Sequence, residues 1–234
     1  MFYDEKIQHI VQSRKITDKD INRYLPQITS KKSQISDVEA RALIKIIKTV
    51  FDTVCDREGK SKKMVKALTT KFRDAGRRSA PWKPASSKVP GRPQDGSDGN
   101  RINRWLLPTD HKFYATEVMA TLVEVKYYLQ SLSMADAPSV KEYNFMDLFS
   151  PWLLEHTVFP GKYLDPVQKI VINFNEVLSD PRTIQSGHIH PLDRGGKHLP
   201  VNTFLMLSRS NQLQGNLTVD ELLDLMRKIL KRHS

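Results

Sequence analysis

The stretch GHIHPLDRGGKH, residues 187–198, places three histidines, an aspartate and a Gly-Gly pair within twelve residues. That composition is unlike a core strand. The segments on either side, residues 183–190 and 203–207, each predict a β-strand, and residues 169–173 (KIVIN) predict another one upstream. The predicted order around the stretch is strand, loop, strand and short helix. Its loop is therefore expected to carry polar and titratable side chains.

The spacing of histidine, glycine and asparagine in this region resembles that of the HNH endonucleases, also called ββα-metal nucleases, a family with restriction-type and phage-type members. The resemblance covers about residues 165–230. A lone His-x-x-Pro carries little information, whereas the full spacing in a strand–loop–strand–helix context is specific. The matching positions are His188, Ile189, Pro191, Leu192, Gly195, Gly196, Asn202, Leu205 or Leu207, and Asn211.

The resemblance implies a metal-dependent endonuclease that hydrolyses DNA phosphodiester bonds with a divalent cation, Mg²⁺ or Mn²⁺. It assigns His188 as the general base, and a histidine that titrates near neutral pH suits that role. It assigns Asn202 to the catalytic centre as the residue that holds the loop between the strands and orients His188. Asn211 matches the metal-binding position, and its amide oxygen is a hard ligand suited to these cations.

Gly187 departs from the family pattern, because many members carry an aspartate there as a second metal ligand. His190 is the first candidate to replace that ligand, since a continued strand would place it on the same face as His188. Asp193 and Asp180 are further candidates. The charged side chains that flank the predicted cleft are expected to contact DNA phosphates. They are Arg194, Lys197 and His198.

Positive charge is concentrated in the first half of the chain. Residues 1–104 hold 24 Lys/Arg and 12 Asp/Glu, a net of +12, whereas residues 105–234 hold 13 and 14. This asymmetry indicates a polyanion-binding region, with nucleic acid as the leading candidate. The residues expected to contact the DNA backbone are Lys60, Lys62, Lys63 and Lys66. The alternative interpretation of this charge run is a solvated helix face.

Helical periodicity dominates residues 1–78, where Ser36 and Glu39 form a capping box ahead of a long helix. Residues 79–104 predict a basic linker or long loop that is rich in Pro, Gly and Ser. Residues 105–234 are expected to form the nuclease domain, including short helices within 144–156. The expected fold class is mainly α with a small β part (α+β): a helical N-terminal region and a C-terminal ββα-metal module.

Cys55 is the only cysteine, so an internal disulfide and a cysteine-based zinc site are excluded, and a reducing, cytoplasmic location is expected. No run of about 18 apolar residues occurs, so no membrane span is expected. Two alternatives to a nuclease remain open. One is a non-catalytic DNA-binding regulator on a degenerate HNH module, and the other is an adaptor whose residues 1–78 mediate oligomerisation. Cutting of double-stranded DNA by a single-site module also suggests a homodimer.

Overall fold

The computed structural model describes residues 2–31, 34–79, 101–143 and 159–233. Most of the predicted linker, residues 80–100, and the short helices predicted within 144–156 lie outside these ranges. Helices dominate the described chain, and two small antiparallel sheets complete it, which confirms the α+β class. No helix in these ranges is both long enough and apolar enough to span a bilayer.

Eight α-helices and four β-strands occur in the described part of the chain. The helices are α1 (Phe2–Gln12), α2 (Asp18–Thr29), α3 (Asp37–Arg57), α4 (Lys62–Gly76), α5 (Glu117–Leu132), α6 (Phe174–Ser179), α7 (Ser208–Gln214) and α8 (Val219–His233). The strands are β1 (Arg78–Ser79), β2 (Ile102–Asn103), β3 (Ile184–His188) and β4 (Thr203–Leu207).

The start of α3 follows the predicted capping box. The Glu39 amide donates to the Ser36 hydroxyl at 3.3 Å, and the Ser36 amide donates to the Glu39 carboxylate at 2.8 Å. Two of the free amides at the helix start are thereby satisfied, which is why the helix begins at Asp37. The same reciprocal bonds join Thr218 and Glu221 ahead of α8.

The predicted strand at residues 169–173 is wrong. This stretch makes only isolated bridges, and its apolar side chains Ile170 and Val171 are about half exposed. The buried Asp165 accepts hydrogen bonds from the amides of Val167 and Gln168 and so forms a turn. Lys169 then adopts a φ of 57°, which interrupts an extended chain.

Helix α5 lies at the centre of the fold. Every residue from Ala120 to Leu132 is buried, so this helix is covered on all sides. Its Tyr128 ring packs edge-on against Phe51 of α3 and Phe72 of α4, with ring centroids 5.2 and 5.1 Å apart. One apolar cluster includes residues from both 1–78 and 105–234. The division of the chain into domains at these ranges stays a prediction. Side chains from both ranges pack together in this one cluster.

The ends of the predicted linker are paired with each other. Arg78 and Ser79 of β1 lie opposite Asn103 and Ile102 of β2 in an antiparallel ladder. In the second sheet, β3 and β4 pair over five residues, from Ile184 opposite Leu207 to His188 opposite Thr203. The residues between these two strands, 189–202, are called the motif loop below.

Candidate active site

His188 is the last residue of β3, and the chain leaves the sheet immediately after it. Its imidazole Nε2 lies 3.1 Å from Nδ1 of His198. The other ring nitrogen of His198, Nε2, lies 2.8 Å from the backbone oxygen of Gly76 at the end of α4. His188, His198 and Gly76 therefore form a hydrogen-bonded chain that joins the motif loop to α4.

The proton positions in this chain follow from the Gly76 oxygen, which can only accept. Nε2 of His198 must therefore carry its proton. Burial holds the pKa of His198 well below the usual value, so its ring is neutral and its Nδ1 accepts. Nε2 of His188 is then the donor to His198. Nδ1 of His188 is left with a lone pair, as a general base requires.

Burial and the nearby Arg104 guanidinium lower the pKa of His188 to about 4. The expectation that this histidine titrates near neutral pH is therefore wrong for the free protein. The cause is that burial removes water from the ring and Arg104 adds a nearby positive charge, and both disfavour the imidazolium. At neutral pH the ring is uncharged, with its one proton on Nε2, and Nδ1 can accept a proton.

Arg104 is a buried cation beside the two histidines, with 7% of its surface exposed. Its guanidinium donates to the backbone oxygens of Ala75, Gly76 and Phe113 at 3.0–3.2 Å. It forms no ion pair with a carboxylate in the described ranges. Two of its acceptors are the last carbonyls of α4, where a cation complements the helix dipole. Its charge makes the surroundings of His188 attractive to an anion.

Asn202 holds the motif loop together. Its Oδ1 accepts from the His190 amide at 2.7 Å, and its Nδ2 donates to the backbone oxygens of His190 and Lys197, each at 2.9 Å. Gly195 has a φ of +86°, and a side chain at Gly196 would collide with the backbone oxygen of His190. The Gly-Gly pair is thus needed for the loop to fold back on itself.

His190 does not continue the face of His188, so that expectation is wrong. Strand β3 ends at His188, and His190 lies in a bend with its side chain exposed. Its Nε2 lies 2.8 Å from the backbone oxygen of Arg194 and donates to it. That nitrogen is unavailable to a metal in this conformation.

Asn211 lies in α7, and its Nδ2 donates to Oε1 of Gln185 on β3 at 2.7 Å. Its amide oxygen is therefore the atom that remains for a cation. A side chain at Gly187 would overlap the thioether of Met206, so this methionine occupies the space beside the glycine. Among the described residues no three His, Cys, Asp or Glu side chains cluster as a metal site.

A single amide oxygen suits a cation that binds to the protein together with a substrate. Mg²⁺ and Mn²⁺ accept one protein oxygen when waters and phosphate oxygens complete the shell. Asn211 offers such an oxygen, whereas Asp180 is paired with Arg182 and Asp193 with Lys112. The Asn211 oxygen is therefore a candidate ligand for a cation whose remaining ligands would be waters and substrate oxygens.

The three residues predicted to contact phosphates near the motif loop have different surroundings. Lys197 is exposed. Arg194 makes a bidentate ion pair with Glu221 of α8. In one of its two hydrogen bonds, Nη2 of Arg194 lies 2.9 Å from Oε1 of Glu221. His198 is 1% exposed, so the expectation of a surface phosphate contact is wrong for it. Its two ring nitrogens bind His188 and Gly76 instead.

Part of the basic run lines a cleft of about 670 Å³ along α3 and α4, with Lys60, Lys62 and Lys66 on its walls. Lys60 donates to Oδ1 of Asn175 at 2.8 Å, and Lys62 pairs with Asp56 at 3.3 Å, where both side chains are largely exposed. The structure thus groups these three lysines at the start of α4. The predicted active site lies at the other end of the same helix, where Gly76 meets His198.

Sequence reasoning missed Arg104, Gly76 and the role of His198. Arg104 and Gly76 lie more than 80 residues before His188 and belong to no motif. A Cβ at Gly76 would lie 2.7–2.9 Å from the Glu124 backbone and Cβ, so α4 and α5 touch at this residue. Only the close packing of these helices brings the Gly76 carbonyl to the motif loop.

Replacement of His198 by leucine removes the acceptor that holds the His188 ring, so a reaction that uses His188 as a base should slow by about tenfold, because one buried hydrogen bond is worth about 1–1.5 kcal/mol. His198→Asn keeps an acceptor near the Nδ1 position and should retain most of the rate. Single-turnover kinetics of both variants, with thermal unfolding as a check on folding, measure this. Equal losses in two folded variants would mean that His198 only fills space.

No family model matches this chain, and no curated protein matches it. Among solved structures, it is similar to the crystal structure of a type II restriction endonuclease at 17% sequence identity, with a TM-score of 0.44. The match covers 56% of this chain and 61% of that one.

Proposed function

We propose that this chain is a metal-dependent endonuclease that hydrolyses DNA phosphodiester bonds with His188 as the general base. The observation that carries the proposal is the hydrogen-bonded chain from Gly76 through His198 to His188, which leaves Nδ1 of His188 as a fixed, unprotonated acceptor. The HNH-like spacing of His188, Asn202 and Asn211 supports it independently. A plasmid-nicking assay with Mg²⁺, Mn²⁺ or EDTA tests it directly.

In the proposed reaction, Nδ1 of His188 takes the proton of a water that attacks the scissile phosphorus. His198 holds the ring in the required tautomer, and Asn202 holds the loop that follows it. The Arg104 charge favours a phosphate next to His188. A divalent cation at Asn211 would stabilise the negative charge on the phosphate and leaving-group oxygens.

Helix α4 connects the lysines proposed to contact DNA with His188, the proposed general base. Lys66 and Gly76 are ten residues apart, which is about 15 Å along a helix. By the same measure Lys62 lies about 21 Å from Gly76, so phosphates held at Lys60, Lys62, Lys63 and Lys66 would lie about one duplex diameter or more from His188. Because α4 is a rigid helix, it keeps a duplex bound at these lysines at a set distance from His188.

Exchange of these four lysines for glutamine should weaken DNA binding and flatten its salt dependence. Each phosphate contact adds about −0.9 to the slope of log K against log salt, so the slope should fall by about 3–4 if all four contribute. The matched control is the exchange of four other exposed lysines, Lys15, Lys19, Lys162 and Lys169. Equal slopes in both variants would mean that the charge run is only a solvated face.

A non-catalytic DNA-binding regulator or adaptor is the second candidate, and Gly187 favours it. The space that an aspartate would occupy holds Met206, so the second carboxylate ligand of the family is missing. The two candidates differ in one result. A regulator binds DNA with unchanged salt dependence and leaves plasmids intact at every Mg²⁺ and Mn²⁺ concentration.

A further inference from the structure

Another cavity lies between α4 and β3, and it is called the α4–β3 cavity below. Its volume is about 380 Å³. Gln185 and Ser186 of β3 form part of its wall, and Arg101, which precedes β2, forms another part. Four residues of α4 line it with the i, i+3, i+4, i+7 spacing of a single helix face. They are Ala67, Thr70, Lys71 and Asp74.

Lys71 brings a positive charge to this cavity. Its side chain is half-buried, and it forms no ion pair within the described ranges. Burial lowers the pKa of Lys71, an effect that the Asp180 carboxylate partly offsets and the Arg101 guanidinium increases. Asp180 is itself paired with Arg182. The Lys71 ammonium is therefore incompletely solvated, and an anion in the cavity would stabilise it.

Arg101 adds a second cation to the wall. Its Nη1 lies 3.7 Å from Oδ2 of Asp74, which is beyond hydrogen-bond distance. Oδ1 of the same carboxylate already accepts from Arg73 at 3.1 Å and from Arg78 at 3.3 Å. One carboxylate is thus shared among three guanidinium groups, and it holds Arg101 least closely. The donors of Arg101 are available to another anion.

Gln185 connects the cavity to the proposed cation ligand. Its Oε1 accepts from Nδ2 of Asn211, so its amide offers the Nε2 donor to any further partner. Lys71, Arg101 and Gln185 therefore surround one space with hydrogen-bond donors, two of them charged. The phosphate diester group, which has negatively charged oxygens and no proton to donate, matches such a lining.

We propose that the α4–β3 cavity binds a backbone phosphate of the DNA substrate, beside the proposed cation ligand Asn211. The ligand's identity as DNA rests on the proposed nuclease function, whereas the phosphate-binding chemistry does not. A free nucleotide presents the same group, so the experiments below include one.

The position of the cavity supplies a DNA contact near the base that the basic run does not. Lys71 lies five residues before Gly76, about 7.5 Å along α4, whereas Lys66 lies about 15 Å away. On β3, Ser186 lies two residues before His188, about 7 Å along the strand. A phosphate in the cavity would therefore be held close to the phosphate that His188 is proposed to act on.

One lysine of the basic run continues the same face of α4. Lys63 lies four residues before Ala67, about 40° from it around the helix axis, whereas Lys62 and Lys66 lie about 140° and 100° from it. Lys63 is exposed. A DNA strand that contacts Lys63 can thus follow this face into the cavity, towards His188.

Duplex binding by the full-length chain in EDTA, in the His188→Ala background, tests the cavity without cleavage. Lys71→Gln and Arg101→Gln should each raise the Kd by about tenfold and lower the slope of log K against log salt by about 0.9, since each loses one phosphate contact. The matched control is Lys162→Gln, which removes an exposed lysine elsewhere. Affinities and slopes equal to those of the control would overturn the proposal.

A change of shape without a change of charge tests whether the cavity itself is used. Ala67→Phe should weaken duplex binding, because the larger side chain enters the space that the phosphate needs. Ala67 is exposed, so the core is left intact, and circular dichroism checks the fold. Gln27→Phe on α2 changes an exposed residue far along the chain and is the control. Equal duplex affinity in the two variants would contradict binding within the cavity.

A 5′-mononucleotide distinguishes the two sources of phosphate. We expect duplex binding to depend on Lys71 and the mononucleotide to compete poorly with the duplex. A mononucleotide that binds the wild type but not Lys71→Gln, with duplex binding unchanged in that variant, would overturn the assignment to DNA.

Failure of the nuclease function gives a different result. A chain that never nicks plasmids but loses duplex affinity in Lys71→Gln keeps the phosphate site without the nuclease. A chain that nicks plasmids, and in which Lys71→Gln behaves as Lys162→Gln does, keeps the nuclease without the phosphate site.

Discussion

Replacement of His188 by alanine should lower the rate of DNA cleavage by about 10²–10⁴-fold, the usual cost of losing a general base. DNA binding should be nearly unchanged, because the lysines proposed to hold the duplex lie at the other end of α4. The measurement is single-turnover cleavage of a defined duplex, with affinity measured in parallel. Cleavage near the wild-type rate would remove His188 from the mechanism.

Two further histidines serve as controls for that experiment. His9→Ala changes an exposed histidine of α1 and should leave the rate unchanged. His190→Ala should cost much less than His188→Ala, because its Nε2 is engaged with the Arg194 backbone. Equal losses at positions 188 and 190 would instead mean that both histidines act together on the cation.

The pH dependence of kcat/KM is an independent test of His188 as the general base. The pKa of His188 is lowered to about 4, so its imidazole is unprotonated from about pH 5 upwards. The rate should therefore be insensitive to this group between pH 5 and 7 and should fall as the pH approaches 4. A fall already centred at pH 6–7 would mean that burial and Arg104 do not lower the pKa of His188 in solution.

Removal of divalent cations by EDTA should abolish cleavage, and Mg²⁺ or Mn²⁺ should restore it. Asn211→Ala should raise the cation concentration needed, or abolish activity, because the amide oxygen is the ligand that the site offers. Activity that persists in EDTA would exclude the metal mechanism. An Asn211 variant with unchanged cation dependence would move the ligand elsewhere, to His190 or Asp180.

A binding measurement separates the cation site from catalysis. In the His188→Ala background, which should not cleave, Mn²⁺ should tighten DNA binding because the cation is shared with phosphate oxygens. Adding Asn211→Ala should remove that effect. Gln185→Ala is the matched control, since it removes the hydrogen-bond partner of Asn211 but leaves the proposed ligand oxygen in place.

Local signals predict the helices of residues 1–78 well. The capping box at Ser36 involves residues three positions apart, and helical spacing acts over one or two turns. The hairpin of β3 and β4 was predicted for the same reason. Residues 169–173 failed because a buried carboxylate, Asp165, binds the backbone there. An apolar run contains no sign of such a competing turn.

Which parts of the active site can be predicted depends on how far apart the residues lie along the chain. Asn202 and the motif loop it binds are close in sequence, so a spacing motif includes them. The Gly76 carbonyl is 122 residues from His198, and the contact between them exists only because α4, α5 and the hairpin pack together. The burial that changes the expected role of His198 and the pKa of His188 has the same origin. No local pattern contains that information.

The pairing of β1 with β2 bears on how this protein can change over evolution and in the laboratory. Ser79 and Ile102 are neighbours across the ladder, so the intervening stretch starts and finishes at one place on the fold. A flexible insert between two paired strand ends costs only about 0.6 kcal/mol of closure entropy for each doubling of its length. Length variation and inserted tags at this place should therefore be tolerated without moving α4 or Arg104.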